Sequence, residues 1–381
     1  NAYILPKTFS LTLTEDYPRT DIQRDVIKCV NKAVEYAIKI IQAKAILYAL
    51  FGGGKLVTPV ITFLFINMLD AFKYIDTKFP PNLHDLWLGI TDDLFKLVQD
   101  KLQEHVIKSK VLSELLGPER FVYWETRAYI LDNFITGIGL LALVFILWVI
   151  VKAAKVFGCI QPPRSSWLFA FEWSILLNFF YLLSLRMLIA GTVQIYASEF
   201  GDGAYALVST IIGIVVVALY VLCSILLAFK IFKIQKILKI TGTILGKENV
   251  FLLKKYRLYH SDLNTDNPDG LWIFQLISIR NIILAPVLVW ADSTPYLQIV
   301  VFLLGNIAGI YLVAKTQAFK SKAKNRLYIL NEALFVILVG LLIGVHQMNE
   351  QGSSISKKVT LGWIMMGIVL LILSIEMMKI A

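Results

Sequence analysis

Long apolar runs separated by short polar segments dominate the chain and set its predicted architecture. A helix needs about 20 residues to cross a hydrocarbon core of about 30 Å, so runs of that length predict transmembrane helices. The pattern predicts an all-α polytopic membrane bundle of about nine helices, with an amphipathic helix in an outer loop. The predicted spans are residues 30–50, 56–73, 132–152, 167–197, 204–229, 271–291, 296–314, 327–346 and 361–380.

The first predicted helix, over about 30–50, is the weakest of the nine. Lys32, Lys39 and Lys44 interrupt its apolar run. It either crosses the membrane or lies as an amphipathic helix packed on the bundle. If it crosses, the N-terminus lies outside, and if it does not, the N-terminus lies inside.

Two connecting segments are long enough to have a role of their own. In the outer loop 74–131, DLWLGITDDLFKLVQDKLQEHV places apolar residues near helical spacing and acidic residues on the other side. This pattern predicts a helix over about 84–106, which lies on the bundle or on a protein partner. The inner loop 230–270 begins with KIFKIQKILKI, which continues the fifth span as a basic helix.

The basic helix is a candidate site for anionic lipid headgroups of the inner leaflet. Its lysines recur at intervals of three, with apolar residues between them, a pattern that suits the headgroup region of the cytoplasmic leaflet. The alternative interpretation is a positive-inside stop signal whose lysines extend toward the headgroups. The four residues are Lys230, Lys233, Lys236 and Lys239.

Composition and charge agree with a membrane protein. The chain has 381 residues, is 57% hydrophobic and has a mean hydropathy of +0.68, whereas soluble domains are roughly 45–50% apolar. The segments assigned to the cytoplasm hold 18 Lys and Arg against four Asp and Glu, and the outer segments hold 13 against 17. The positive-inside rule predicts this difference. The net charge of +10 therefore needs no nucleic-acid partner.

The predicted organisation follows the spans and loops. An extramembrane segment, 1–25, precedes a helical hairpin, 26–73, and the outer loop, 74–131; then come a three-helix unit, 132–229, the basic loop, 230–270, and a four-helix unit, 271–381. The chain starts with Asn1 rather than Met, and its first residues are neither a basic nor an apolar signal region. We expect it to be the C-terminal part of a longer or processed product.

The sequence contains no recognisable catalytic or metal-binding motif. Cys29, Cys159 and Cys223 form an odd set with no zinc or redox spacing, and the four histidines never recur at the spacing of a helical metal site. No G-x-S-x-G turn is present. We therefore expect no enzyme, no metal and no cofactor.

Charged and amide side chains within the spans are the candidate functional residues, because they are costly in lipid and usually face a bundle interior or a cavity. Arg280 and Glu332 lie at similar predicted depths and form the preferred buried pair. Arg186 is too far from Glu172 on its own helix, since fourteen residues separate them by about 21 Å. Its expected partners are Asp70 and Asp132, with a role in lining a cavity as the alternative.

Several blocks carry a family resemblance. NKAVEYAIKIIQAKAILYALFGGG, FLFINMLDAFKYIDTKFPPNL and WLFAFEWSILLNFFYLLSLRMLIAG resemble the membrane region of large multi-pass surface proteins of ciliates and related protists. Three short matches later in the chain are also similar to the fungal TRP-like, flavin-carrier type of membrane domain. They are R-N at 280–281, P-YLQ at 295–298 and N-E at 331–332. The resemblance implies a TRP-like bundle below an N-terminal ectodomain and makes cation conduction plausible. The matching residues are Asn67, Arg280, Asn281, Asn331 and Glu332.

Three functions compete on these observations. The first is a TRP-like protein that passes or senses cations. The second is a non-conducting membrane subunit or anchor that holds a partner, or a second copy of the chain, through its outer loop. The third is a carrier of lipid or of a small molecule, with its site at Arg186 or at Arg280 and Glu332. The plasma membrane or cell surface is favoured as the location, with an internal organelle membrane as the alternative.

Overall fold

The computed structural model describes the chain in separate stretches. They are residues 20–51, 57–91, 184–197, 204–239, 262–264, 266–291 and 294–380, together with residues 146, 149, 150, 153 and 181. Of the predicted span 132–152, residues 146, 149 and 150 are described and are helical. The second half of the predicted outer-loop helix, the first part of the span 167–197 and most of the basic loop lie outside the described residues.

Nine α-helices and two 3-10 turns fall within the described ranges, which contain no β-strand beyond an isolated bridge between Leu263 and Phe319. The helices are α1 (Asp21–Phe51), α2 (Val57–Ala71), α3 (Pro81–Thr91), α4 (Ser184–Ala197), α5 (Ala204–Lys239), α6 (Ile273–Trp290), α7 (Pro295–Thr316), α8 (Lys322–Glu350) and α9 (Ile355–Ile380). The turns are Phe72–Tyr74, after α2, and Pro268–Trp272, before α6.

Five of the described helical segments are long and apolar enough to cross a membrane, so the protein is an integral membrane protein. They are Leu207–Lys239, Pro268–Trp290, Pro295–Thr316, Lys322–Glu350 and Ile355–Lys379. They correspond to the last five predicted spans. The count of nine spans stays a prediction, because the rest falls partly outside the described residues.

Several helices extend beyond the apolar runs that predicted them. Helix α1 begins nine residues before the predicted start, at Asp21. There the Thr20 hydroxyl accepts from the amide of Gln23, and the Gln23 side chain accepts from the amide of Thr20. This reciprocal pair is a capping box, which satisfies two backbone donors at a helix start. Helix α8 likewise begins at Lys322 rather than 327, with the Ser321 side chain accepting from the Lys324 amide.

Helix α2 lies at the centre of the described bundle. From Val60 to Lys73, every residue whose side chain is described is buried, as expected for a helix that is apolar all round. The Phe65 ring packs against Tyr328 and Phe335 of α8. Near the other end of α2, the Phe72 ring packs against Phe302 of α7. Helices α1, α4 and α9 complete its surroundings, and α6 and α7 link α4 to α8.

The segment after α2 folds back over the end of the bundle that is predicted to face outward. Backbone and side-chain bonds join it to three helices: the Asp76 amide to Gln298 of α7, Thr77 to His346 of α8, and Asn82 to the Val359 carbonyl of α9. Helix α3 then packs on α1 and α9. Residues 84–91 of the predicted outer-loop helix lie in α3, and because residues 92–106 are outside the described part of the chain, the placement of the whole helix stays a prediction.

Helix α5 presents a long apolar surface to its surroundings. Its outward residues are exposed along most of its length, including Leu207, Ile211, Val215, Leu222 and Phe229. In an integral membrane protein such a surface faces lipid. Helix α5 therefore lies at the periphery of the bundle, against α4 and α6.

Candidate functional site

The first part of the candidate site, the Arg280 cluster, consists of Arg280, Asn306, Tyr328 and Glu332 on helices α6, α7 and α8. The Arg280 Nη1 atom lies 3.3 Å from Glu332 Oε1 and donates to Asn306 Oδ1 at 3.3 Å. The Tyr328 hydroxyl donates to the same Glu332 Oε1 at 2.8 Å. The Arg280 and Glu332 side chains are only 5% and 0% exposed. The predicted pair is thus present and deeply buried.

The depths of the two charged residues explain why they meet. Arg280 lies seven residues after the start of α6, and Glu332 lies ten residues after the start of α8. At about 1.5 Å per residue they stand about 10 and 15 Å from the helix ends on that side of the bundle. The long arginine side chain spans the remaining difference.

Two glycines of α7 make room for the pair. A Cβ atom on Gly305 would lie 2.7 Å from Arg280 Cδ, and one on Gly309 would lie 3.0 Å from Glu332 Oε1. Small residues four apart let membrane helices approach closely. Asn306 lies between these two glycines. On this face of α7, the groups that pack closely against the glycines are charged side chains of α6 and α8 rather than the backbone of a second helix.

The second part, the Glu376 cluster, consists of Asn331 on α8 with Glu376 and Lys379 on α9. The Asn331 amide nitrogen donates to Glu376 Oε1. Lys379 Nζ lies 2.6 Å from the same oxygen and 4.8 Å from the centre of the Phe65 ring. Asn331 and Glu376 are fully buried. We call the two clusters together the buried charge network. Asn331 and Glu332 are adjacent in sequence, and the Phe65 ring contacts both Lys379 of the Glu376 cluster and Tyr328 of the Arg280 cluster.

The buried charge network contains two acidic and two basic side chains, so its formal charges cancel. Within the described part of the chain, both glutamates receive their hydrogen bonds at Oε1, and Oε2 of each has no partner. Three further buried atoms are without a described partner: Asn331 Oδ1, Asn306 Nδ2 and Arg280 Nε. Buried polar groups are normally hydrogen-bonded, so such a concentration points to a ligand, a proton or water.

Arg186, the other predicted intramembrane arginine, contacts one of its two expected partners. Its Nη2 atom lies 3.5 Å from Asp70 Oδ2, and Lys73 Nζ lies 2.7 Å from Asp70 Oδ1. Asp70 thus joins α4 to the end of α2, as the tie that the sequence predicted. The other expected partner, Asp132, and the acidic residue Glu172 lie outside the described residues.

Asn281 neighbours Arg280 in sequence but points to a different interface. Its amide donates to Ser184 Oγ at 2.9 Å, and Ser184 Oγ donates to the Tyr181 carbonyl. The Tyr220 hydroxyl of α5 donates to Ser278 Oγ at 3.4 Å. Asn281 therefore joins α6 to α4 and takes no part in the described contacts of the buried charge network.

The four lysines of the predicted lipid-binding helix lie on one continuous helix with the fifth span. All four are exposed, while Ile231, Ile234 and Ile237 between them are buried. Lys239 Nζ also forms a 2.7 Å ion pair with Asp269, which accepts from Gln235 as well. The end of α5 is thus fixed to the turn before α6, with Lys230, Lys233 and Lys236 directed away from the protein.

Several site residues were not predicted as such. No partner was assigned to Asn331, Glu376 or Lys379, which lie in the predicted spans 327–346 and 361–380. The spacings offered a signal, because Tyr328 with Glu332, and Glu376 with Lys379, are four and three residues apart and share helix faces. The remaining contacts join different helices, and no sequence spacing indicates them.

The described residues include no group of three or more His, Cys, Asp or Glu side chains placed to hold a metal ion. Cys29 and Cys223 are free thiols, and Cys159 lies outside the described residues. Comparison with protein-family models, with curated proteins and with solved structures finds no match to this chain.

Proposed function

We propose that this multi-pass membrane protein passes or senses a cation, and that the buried charge network is the element that responds to it. One observation carries the proposal: two fully buried glutamates, Glu332 and Glu376, each have an oxygen without a partner among the described residues. Ionisable groups at membrane depth are expensive and usually belong to ion pathways, proton relays or sensors.

The charge balance of the network favours a cation as the species that it responds to. With two acidic and two basic groups the network is neutral, and the unused oxygens of Glu332 and Glu376 are acceptors. A cation or a proton can bind at such oxygens, whereas an anion would be repelled by them. Because the groups come from α6, α7, α8 and α9, a change in their charge alters the attraction between four helices at once.

The resemblance to TRP-like membrane domains belongs to the same proposal. Of the residues that carry it, Arg280, Asn331 and Glu332 are members of the buried charge network. Asn67 is buried on the central helix α2. The resemblance and the geometry therefore favour the same region, although they are separate arguments.

Cation flux into liposomes tests the proposal. The purified chain is reconstituted, and the entry of potassium, sodium and protons is followed with fluorescent indicators for wild type, Glu332→Gln, Glu376→Gln and Arg186→Gln. Glu350→Gln is the matched control, because Glu350 lies on α8 like Glu332 but its side chain is 58% exposed. We expect flux above that of empty liposomes in wild type and in Glu350→Gln, and at least a tenfold loss in Glu332→Gln and Glu376→Gln.

The sensing form of the proposal predicts a conformational response without flux. Wild-type protein would then change its tryptophan fluorescence or protease sensitivity when the cation concentration changes, and Glu332→Gln and Glu376→Gln would not. Wild-type protein that shows neither flux nor a response to any of the three cations would refute the proposal.

A second candidate, a non-conducting structural membrane subunit, is favoured by a different observation. The central position is occupied by α2, whose described side chains are buried from Val60 to Lys73, and the segment after α2 is bonded to α7, α8 and α9. Such packing suits a rigid anchor. Its test is purification in mild detergent: a stoichiometric partner chain that binds residues of 92–131, with no cation response, would support it over the first.

The basic end of α5 and the cellular location complete the proposal. The exposed Lys230, Lys233 and Lys236 suit binding of anionic lipid headgroups at the inner leaflet, where each lysine contributes about 1 kcal/mol. The plasma membrane or cell surface is the proposed location, with an organelle membrane as the alternative, and microscopy of a tagged chain distinguishes the two.

A further inference from the structure

The contact between Asn331 and Glu376 supplies one of the two hydrogen bonds that an amide and a carboxylic acid can share. A side-chain amide and a carboxylic acid can bond twice in one plane: the amide N–H donates to one carboxyl oxygen, and the acid O–H donates to the amide oxygen. The described contact supplies the first of these bonds, from Asn331 Nδ2 to Glu376 Oε1. The two atoms that would make the second bond are Glu376 Oε2 and Asn331 Oδ1.

Those two atoms are both buried acceptors without a partner in the described part of the chain. Two acceptors cannot bond to each other, and a buried acceptor left unpaired costs about 1–3 kcal/mol. A single proton on Glu376 Oε2 that donates to Asn331 Oδ1 would remove both deficits and leave the existing bond at Oε1 in place. We infer that Glu376 and Asn331 form a proton-binding site, with the proton on Glu376 Oε2.

The charged surroundings let such a proton be released as well as bound. The ionisable groups in described contact with the site or with its neighbour Glu332 are Lys379 on α9, Tyr328 on α8 and Arg280 on α6. Helix α7 contributes the uncharged Asn306, and α2 contributes the Phe65 ring beneath Lys379.

The formal charge of the network is zero without the proton and +1 with it. The new hydrogen bond favours binding of the proton. Because the added positive charge is repelled by Lys379 and Arg280, those two residues favour its release. Both effects act on the same proton, so the site can exchange it rather than hold it permanently.

The inference deepens the proposed function, since it names the proton as the cation that is bound, and its use in transport rests on that function. Lys379 lies one residue from the end of α9, so the site is near one surface of the bundle. We expect the proton to exchange with the membrane face at which α9 ends.

Infrared difference spectroscopy of the full chain in lipid nanodiscs tests the site without requiring transport. Glutamate is labelled with carbon-13, and spectra are recorded as the buffer is cycled between acidic and alkaline pH. The carbonyl stretch of a protonated carboxyl group is separate from that of a carboxylate and shifts in deuterium oxide. We expect a labelled protonated-carboxyl band in wild type that is lost in Glu376→Gln and unchanged in the exposed control Glu350→Gln.

Thermal stability supplies a second readout, because glutamine resembles the protonated acid. The Glu376→Gln amide can donate to Asn331 Oδ1 and accept at its own oxygen. We expect wild type to lose stability as pH rises through the release of the proton, and Glu376→Gln to lack this pH dependence. Should Glu376→Gln fail to fold, Glu376→Asp withdraws the carboxyl group from Asn331 and is expected to shift the band instead.

Two results would overturn the inference: no protonated glutamate band in wild type at any pH at which the protein is folded, or a band that persists unchanged in both Glu376 variants. Its failure and that of the proposed function are distinguishable. A Glu376 band without cation flux or response supports the proton site and refutes the transport proposal. Potassium or sodium flux without the band supports transport and refutes the proton site.

Discussion

Replacing Arg280 and Glu332 together should destabilise the protein less than the sum of the two single replacements. At the 3.3 Å separation of Arg280 Nη1 and Glu332 Oε1, the attraction is about 5 kcal/mol for an effective dielectric constant of about 20. Removal of one partner leaves the other charge buried and uncompensated, which costs about 3–5 kcal/mol. We expect Arg280→Gln and Glu332→Gln each to lose that amount of unfolding free energy.

The double variant removes both charges and so avoids an uncompensated ion. We expect its loss to be smaller than the sum of the two single losses by about 2–3 kcal/mol, as for other contacting pairs. Equilibrium unfolding in mixed micelles of increasing SDS fraction measures all four proteins. Glu350→Gln controls for loss of a negative charge, and at an exposed site its effect should stay within about 0.5 kcal/mol.

Additive losses would refute this account of the pair. If the double variant loses the sum of the single losses within about 0.5 kcal/mol, then the two side chains do not interact in the folded protein. Their 3.3 Å contact would then carry no energetic coupling, and the network would lose its central element.

Three further predictions address the surroundings of the network and the basic helix. Gly305→Ala should lower the thermal unfolding temperature in detergent, because its Cβ would meet Arg280 Cδ at 2.7 Å. In the control Gly340→Ala the new Cβ has nothing within 4 Å, so the unfolding temperature should stay unchanged or rise. Equal effects of the two substitutions would contradict the close packing at Gly305. Arg186→Gln should cost less unfolding free energy than Arg280→Gln, because its side chain is 21% exposed and Asp70 keeps its 2.7 Å bond to Lys73; an equal loss would contradict the partial exposure. Replacing Lys230, Lys233 and Lys236 by glutamine should reduce the amount of anionic lipid that native mass spectrometry finds bound to the protein. Replacing the same three residues by arginine should leave it unchanged. Retention of the lipid in the glutamine variant would support the stop-signal interpretation.

The two arginine pairs could be predicted because depth restricts the possible partners. A charged side chain in a span needs a partner, and counting residues from the span ends leaves few candidates at each level. This reasoning led from Arg280 to Glu332 and from Arg186 to Asp70 or Asp132, and the contacts with Glu332 and Asp70 are present. It needed only the positions of the residues along their helices.

The second half of the network could not be predicted, because it depends on which helix faces meet. Helix α6 and helix α9 are apolar on most sides, so no stripe indicates their neighbours. Lys379 lies at the end of the last predicted span, 361–380, where α9 also ends, but no partner was assigned to it. The bonds that Asn331 and Asn306 make across helices likewise follow from packing that the sequence pattern does not specify.

The central position of α2 has a similar explanation. Its sequence, VTPVITFLFINMLDA, indicates burial on all sides but gives no order of neighbours. The start of α1 at Asp21 was, by contrast, available from the sequence, since TDIQ has the residue types and spacing of a capping box. It was missed because the helix was placed by its apolar run alone.

Solid-supported-membrane electrophysiology tests the central claim most directly, since it records charge movement from cation binding as well as from transport. Proteoliposomes carrying the full chain are exposed to a step in proton, sodium or potassium concentration. The account predicts a current for wild type and for Glu350→Gln that Glu332→Gln and Glu376→Gln lose. No current in wild type for any of the three cations, or equal currents in all four proteins, would contradict it.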